Sequence, residues 1–210
     1  MSRKKITVLC ITGLLILFSA GCSTGVFQSN NNPTIKAAPN SDYVEAFEAM
    51  HLGILFDFEL YVPDADKRWV NLWVERYHKG ELDPEPLTHL SYGSQPSDKS
   101  EGPLGFGLIN PNTEDPLIFL YAPGVSIIPS SIEEELQVEQ GGASTWSYAI
   151  SEDTPKSVEL GETVLLAAYR QSSTGKISSV DFESEEDIEQ MLEEDSTVLL
   201  LKMKIEEDIE

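Results

Sequence analysis

Two stretches of strict alternation constrain what this chain can fold into more than anything else in it. Over residues 54–62, Ile54, Phe56, Phe58, Leu60 and Val62 alternate with Leu55, Asp57, Glu59 and Tyr61. Over residues 69–77, Val70, Leu72 and Val74 alternate with Trp69, Asn71, Trp73, Glu75 and Tyr77. Successive side chains of a strand point to opposite faces, so a period of two sets one apolar row on a core and a mixed row outside. A helix could not gather either row on one side. Pro63-Asp64-Ala65-Asp66 between the two runs is rich in turn formers, and the pair is expected to close as a hairpin. With Tyr61 opposite Trp69, the inward pairs are Leu60–Val70, Phe58–Leu72 and Phe56–Val74. The same register sets Glu59 beside Asn71 and Asp57 beside Trp73 on the other face.

Later segments repeat the theme. Residues 104–109 and 117–121 flank Asn110-Pro111-Asn112, which predicts a second hairpin. Residues 145–150 place Trp146, Tyr148 and Ile150 in alternation, and 158–169 hold two apolar stretches separated by Gly161-Glu162. Residues 197–205 set Thr197, Leu199, Leu201, Met203 and Ile205 against Val198, Leu200, Lys202 and Lys204. One convincing helix spans 185–194, with Ser184 as N-cap, Asp187 three residues on, and Ile188, Met191 and Leu192 on one face. A shorter helix is expected over 41–50, where Tyr43, Phe47 and Met50 share helical spacing. Residues 132–139 fit either a helix, through Ile132 and Leu136, or a hairpin arm, through Leu136 and Val138.

Short strands divided by Pro, Gly and Asn, with no regular alternation of strands and long helices, define an all-β class. The expected architecture is an antiparallel β-sandwich with one or two short helices. The stretch Leu160-Gly161-Glu162-Thr163-Val164-Leu165 is similar to a turn-and-strand common in immunoglobulin-like sandwiches, a resemblance that implies that variety of sandwich.

The N-terminus reads as an address. Arg3, Lys4 and Lys5 precede an uncharged apolar run over residues 6–20. As a helix that run would rise about 22 Å, short of a hydrocarbon core of about 30 Å. A basic start, a short apolar segment and small residues at its end make a secretory signal. The segment closes on Ser19-Ala20-Gly21-Cys22-Ser23. This resembles the lipobox of bacterial lipoproteins, although Ser19 stands where an aliphatic residue is usual. The resemblance implies that the Cys22 thiol receives a diacylglyceryl group and that signal peptidase II then cuts ahead of it. Two acyl chains suffice for stable anchoring, where one binds only marginally. The expected organisation is a signal peptide over 1–21, a lipidated cysteine and flexible tether over 22–40, and a single acidic β-rich domain over 41–210. The tether rests on Asn30-Asn31-Asn32-Pro33 among Ser, Gly, Thr and Ala, without strand or helix period. The implied location is the extracytoplasmic face of the cell membrane, as in a Gram-positive cell.

Cysteine and charge agree with that address. The chain has two cysteines, Cys10 inside the segment to be removed and Cys22. The processed protein would carry no free thiol, disulfide or cysteine-based metal site, so its fold must stand on its core. The full chain has a formal charge of −22, and loss of Arg3, Lys4 and Lys5 leaves 11 basic against 36 acidic groups, or −25. Such a surface is repelled by nucleic acid and by anionic headgroups. The expected partners are the membrane, through the lipid on Cys22, and an envelope protein or polysaccharide.

Signs of catalysis are few. His51, His78 and His89 have no ligand spacing, and no metal or other cofactor is expected. No Gly-x-Ser-x-Gly elbow is present. Gly102-Pro103-Leu104-Gly105-Phe106-Gly107 lies in a predicted strand, where close backbone packing or a bulge explains it better than a phosphate loop. Asp64 and Asp66 lack the glycine and distal Glu of a calcium loop. The aromatic row of Trp69, Trp73 and Tyr77, with Tyr61, stands beside Asp57, Glu59 and Asn71 as a candidate carbohydrate or peptide platform. The alternative is that a loop or helix covers this row and makes it core. The expected function is a non-enzymatic binding or envelope-scaffolding module. An envelope hydrolase and a small-ligand or cation-binding domain are the alternatives.

Overall fold

A computed structural model describes residues 32–132, 136 and 141–208. In chain order these form β1 (Thr34–Ala37), α1 (Asp42–Ala49), β2 (Gly53–Pro63), a 3-10 turn (Ala65–Lys67), β3 (Arg68–His78), β4 (Glu81–Leu82), β5 (Thr88–Gly93), β6 (Lys99–Ile109) and β7 (Leu117–Ala122). There follow β8 (Val125–Ser126), β9 (Ser130–Ser131), β10 (Ala143–Tyr148), β11 (Lys156–Ser157), β12 (Thr163–Ser172), α2 (Glu185–Glu194) and β13 (Thr197–Glu207). One sheet runs β11-β1-β2-β6-β7-β8, with β9 also on β7; the other runs β10-β12-β13-β3-β4, with β5 also on β3. All the pairings are antiparallel, and inward rows from both sheets meet in one core, which makes the fold the expected all-β sandwich.

The first expected hairpin does not form. β2 pairs with β1 and β6, whereas β3 pairs with β13, β4 and β5, so the two alternating strands belong to opposite sheets. The apolar rows are nevertheless those the alternation picked: Phe56, Phe58, Leu60, Val62, Val70, Leu72 and Val74 are all buried. A hairpin lays its two apolar rows side by side on one sheet, whereas a chain that crosses between sheets turns them toward each other. Both satisfy the same period. The crossing happens at Asp64, whose left-handed φ of 49° opens the 3-10 turn, and Arg68 is buried with its guanidinium 3.6 Å from the Asp64 carboxylate.

The second expected hairpin is present as β6 and β7, with Ile109 opposite Leu117 and Phe106 opposite Leu120. Asn110 takes φ of 50° and its carbonyl accepts from Thr113 N at 3.1 Å. Within the first sheet the Phe56 and Phe106 rings stack at 5.7 Å, and from the second sheet Tyr148 meets Phe56 and Phe58 edge-on at 5.4 and 5.2 Å.

β12 and β13 are buried on both faces along part of their length. Leu199, Leu201, Met203 and Ile205 face the main core, while Val198 and Leu200 join Ala168 and Met191 in a second cluster beneath α2. This explains the unbroken run Val198-Leu199-Leu200-Leu201, since a strand covered on both sides needs no polar row. In β12 a bulge between Leu165 and Ala167 places Leu166 and Ala167 together in the main core. The helix α2 keeps the expected bounds and cap: Ser184 Oγ accepts from Asp187 N at 3.2 Å.

One boundary and one helix face differ from expectation. The stretch assigned to the tether contributes β1, where Ile35 is fully buried and Lys36 lies opposite Glu59. Four residues with one large apolar side chain are too short to show a period. In α1 the buried residues are Val44 and Phe47, whereas Tyr43 and Met50 are 58 % and 61 % exposed. Ser41 caps this helix, accepting from Val44 N at 3.3 Å. Residues 133–135 and 137–140, most of the ambiguous 132–139 segment, lie outside the described residues.

Candidate functional site

The outer faces of the two sheets carry the candidate chemistry, and each is shaped by what covers it. On the first sheet, α1 lies over β2, β6 and β7. Phe47 of α1 meets Phe119 of β7 at 6.1 Å, and Phe119 stacks toward Tyr121 at 6.1 Å. The glycines of β6 make room for these rings. A Cβ on Gly107 would overlap the Phe119 ring, and one on Gly105 would overlap Tyr121 and the Phe56 carbonyl. Close packing, anticipated from the glycine spacing, is therefore their role.

Tyr121 reaches across Gly105 to donate to Asp57 Oδ1 at 2.8 Å. Asp57 is 3 % exposed. Burial pushes its carboxyl above the ordinary carboxylate range, against the opposing pull of hydrogen bonds from Ser41 and Tyr121. The Asp57 backbone is also a junction. Its carbonyl accepts from Ala38 N at 2.8 Å where β1 ends, and its N–H donates to Tyr148 Oη at 3.2 Å. Asp57 thus ties α1, β1, β7 and β10 together. Its neighbour Glu59 is exposed and pairs with Lys36 Nζ at 2.9 Å. Between α1 and the strands lies a groove of about 490 Å³, lined by Lys36, Tyr43, Glu59, Tyr61 and Pro103 among others, with Asp57 in its wall.

On the second sheet the outer row of β3 is Trp69, Asn71, Trp73, Glu75 and Tyr77. α2 covers one end. Tyr77 packs against the cluster beneath α2, together with Ile188 and Leu192. The outward residues of β13 change from Val198 and Leu200 to Lys202 and Lys204 beyond that cover. Past the helix the face is a polar ladder. Glu75 accepts from Trp73 Nε1 at 2.9 Å, from Lys202 Nζ at 2.7 Å and from Tyr77 Oη at 3.3 Å. These donors lower the Glu75 pKa against the raising effect of its burial. Glu75 in turn raises the Tyr77 pKa, after burial as the largest cause. At the open end Ser91 Oγ donates to Asn71 Oδ1 at 2.7 Å, Asn71 Nδ2 donates to Glu206 at 3.1 Å, and Lys204 Nζ pairs with Glu206 at 2.6 Å.

The aromatic row of the sequence is therefore divided. Trp69, Trp73 and Tyr77 share the outer face of the second sheet, but Tyr61 lies in β2 on the outer face of the first. Tyr77 is packed under α2 and Trp73 is fixed by Glu75, which leaves Trp69, 38 % exposed, as the open member. His51, His78 and His89 are all exposed and scattered, and no metal-holding group of His, Cys, Asp and Glu occurs among the described residues. Cys22 lies outside the described residues. Sequence reasoning missed the Asp57–Tyr121 pair and the close approach of Trp69 to Gly93, which lie opposite each other in the β3–β5 pairing. The glycines at 93, 105 and 107, opposite aromatic residues, were the available signal.

Fold and surface together define an acidic all-β sandwich, with one outer face partly covered by a helix over a buried aspartate and the other left partly open beside a tryptophan. Residues 53–205 match the YgaN domain, and the chain belongs to that family. The matched region runs from the first residue of β2 into β13 and so takes in strands of both sheets. Neither a curated protein nor a solved structure matches the chain.

Proposed function

We propose that this protein is a lipid-anchored binding or scaffolding module on the extracytoplasmic face of the cell membrane. The observation that carries the reading is Cys22, placed directly after Ala20-Gly21 at the end of a basic and then apolar N-terminal segment. Several features of the chain support it. Cys10 and Cys22 are its only cysteines, so the domain is built without sulfur chemistry. A processed charge of −25 would hold the domain away from an anionic bilayer surface while the lipid holds its end to it. The polar ladder from Glu75 to Glu206 gives the domain an ordered surface suited to recognition.

Growth of the producing cell with an alkyne-bearing palmitate analogue tests the anchor. The wild-type chain should take up the label, and the Cys22→Ala chain should remain unlabelled and migrate as the longer precursor. Equal labelling of both chains would refute the assignment.

A further inference from the structure

Trp69 lies on the sheet in an unusual way. It sits opposite Gly93 in the β3–β5 pairing. A Cβ on Gly93 would come within 2.6 Å of Trp69 Cδ2 and 2.8 Å of Cγ. The indole therefore lies against the Gly93 backbone, where the absent side chain leaves it room, and Trp69 keeps 38 % of its surface exposed. It forms part of a depression of about 750 Å³ whose other lining residues include Asn71, Ser91, Leu160, Gly161, Glu206 and Asp208.

We propose that this depression binds an uncharged glycan, with a sugar ring stacked on Trp69. The apolar C–H face of a pyranose matches a flat, fixed aromatic ring, and its rim of hydroxyls needs partners that both donate and accept. The rim here supplies them in fixed positions. Asn71 Oδ1 accepts from Ser91 Oγ and its Nδ2 donates one proton to Glu206, which leaves the second Nδ2 proton and the second Oδ1 lone pair for a ligand. Asp208, on the same rim, is held by Ser94 Oγ. Glu206, Glu207 and Asp208 make the site acidic, and the neighbouring Lys204 is already paired with Glu206. Anionic polymers are disfavoured on that ground.

Position supports a ligand in the envelope. Asn32, where the described chain begins, donates from Nδ2 to Glu159 at 2.8 Å, and Val158 N donates to Pro33 O at 2.9 Å. The next residues, Leu160 and Gly161, wall the depression. The site thus lies beside the point where the chain enters the sandwich, the end nearest the bilayer if Cys22 is the anchor. This last step rests on the proposed function, but the glycan site itself does not.

The test uses the detergent-solubilised full chain, so its outcome is independent of whether Cys22 is lipidated in the cell. The N-acetylglucosamine hexamer and cellohexaose serve as uncharged probes, with polygalacturonate and oligolysine as charged ones, and tryptophan fluorescence and calorimetry as readouts. Saturable binding of an uncharged probe with Kd on the order of 1 mM or tighter is expected. Trp69→Ala should weaken it by roughly ten-fold or more, Trp69→Phe by less, and Trp146→Ala not at all. Circular dichroism confirms that each variant is folded. No saturation by either uncharged probe at about 10 mM would overturn the proposal, a level at which a 1 mM site is nearly full. So would binding unaffected by Trp69→Ala, or binding of oligolysine alone, which would mark a charge-led peptide site.

Discussion

Asp57 sits in an environment that its chemistry disfavours. Its carboxylate is buried under α1, held by the Tyr121 and Ser41 hydroxyls rather than by a cation. Its pKa in the folded chain is raised above the ordinary value near 3.9. The folded state therefore binds the proton more tightly than the unfolded chain does. The resulting stabilisation is complete below the unfolded value and is lost as pH rises through the folded one. Asp57→Asn removes the ionisation and keeps a carbonyl oxygen for Tyr121. Relative to wild type, its urea midpoint should be most favourable at pH 7, and the difference should shift toward wild type as pH falls toward 4. A difference constant across that range would contradict the account. Gly107 allows a second test. A methyl there meets the Phe119 ring, which is hemmed in by Phe47 and Tyr121. Gly107→Ala should cost about 1–3 kcal/mol by overpacking, read as a Tm lowered by several degrees. An unchanged Tm would mean that the ring can move aside.

The element α2 is held by charge as well as by its apolar face. Arg170 of β12 donates from Nε to Asp195, just past the helix, at 2.6 Å, and from Nη1 to the Ser178 carbonyl at 2.9 Å. Both side chains of the pair are almost completely buried. Removing one partner strands the other, so Asp195→Ala should lose about 3–5 kcal/mol in chemical denaturation. A joint Arg170→Met and Asp195→Leu replacement should recover most of that loss, and failure to recover it would show that the pair contributes more than mutual neutralisation.

What the sequence made legible at this scale follows from the range of each signal. Period two identified which side of β2 and β3 is buried, because that is a property of each strand alone. It could not choose between a hairpin and a crossing, because both place the same side on the core. α2 was readable with its cap, since Ser184 and Asp187 are local. On α1 the expected Phe47 is buried but Tyr43 and Met50 are not, because only the sheet beneath decides that Val44 rather than Tyr43 turns inward. The glycines of β6 announced close packing, but the residues that approach them, Phe119 and Tyr121, come from β7. Of the candidate aromatic platform, sequence placed Trp69, Trp73 and Tyr77 on one face correctly. Tyr61 was lost from it with the hairpin, and only the fold shows α2 lying over Tyr77.

For the whole molecule, β1 belongs to the sandwich, so if Cys22 is the anchor the stretch available as a tether is shorter than composition alone suggested. Eleven residues lie between Cys22 and Thr34, and fully extended they span at most about 40 Å. A domain that a Cys22 lipid held so near a bilayer would benefit from strong negative charge, which opposes adsorption to anionic headgroups. The proposed location and tether both rest on one covalent event at Cys22. The direct measurement is mass spectrometry of the N-terminal peptide from protein extracted from the producing cell's membranes. The account predicts a chain lacking residues 1–21 and beginning at Cys22 with a diacylglyceryl thioether on its sulfur. A chain cut elsewhere, or one carrying Cys22 as a free thiol, would contradict it.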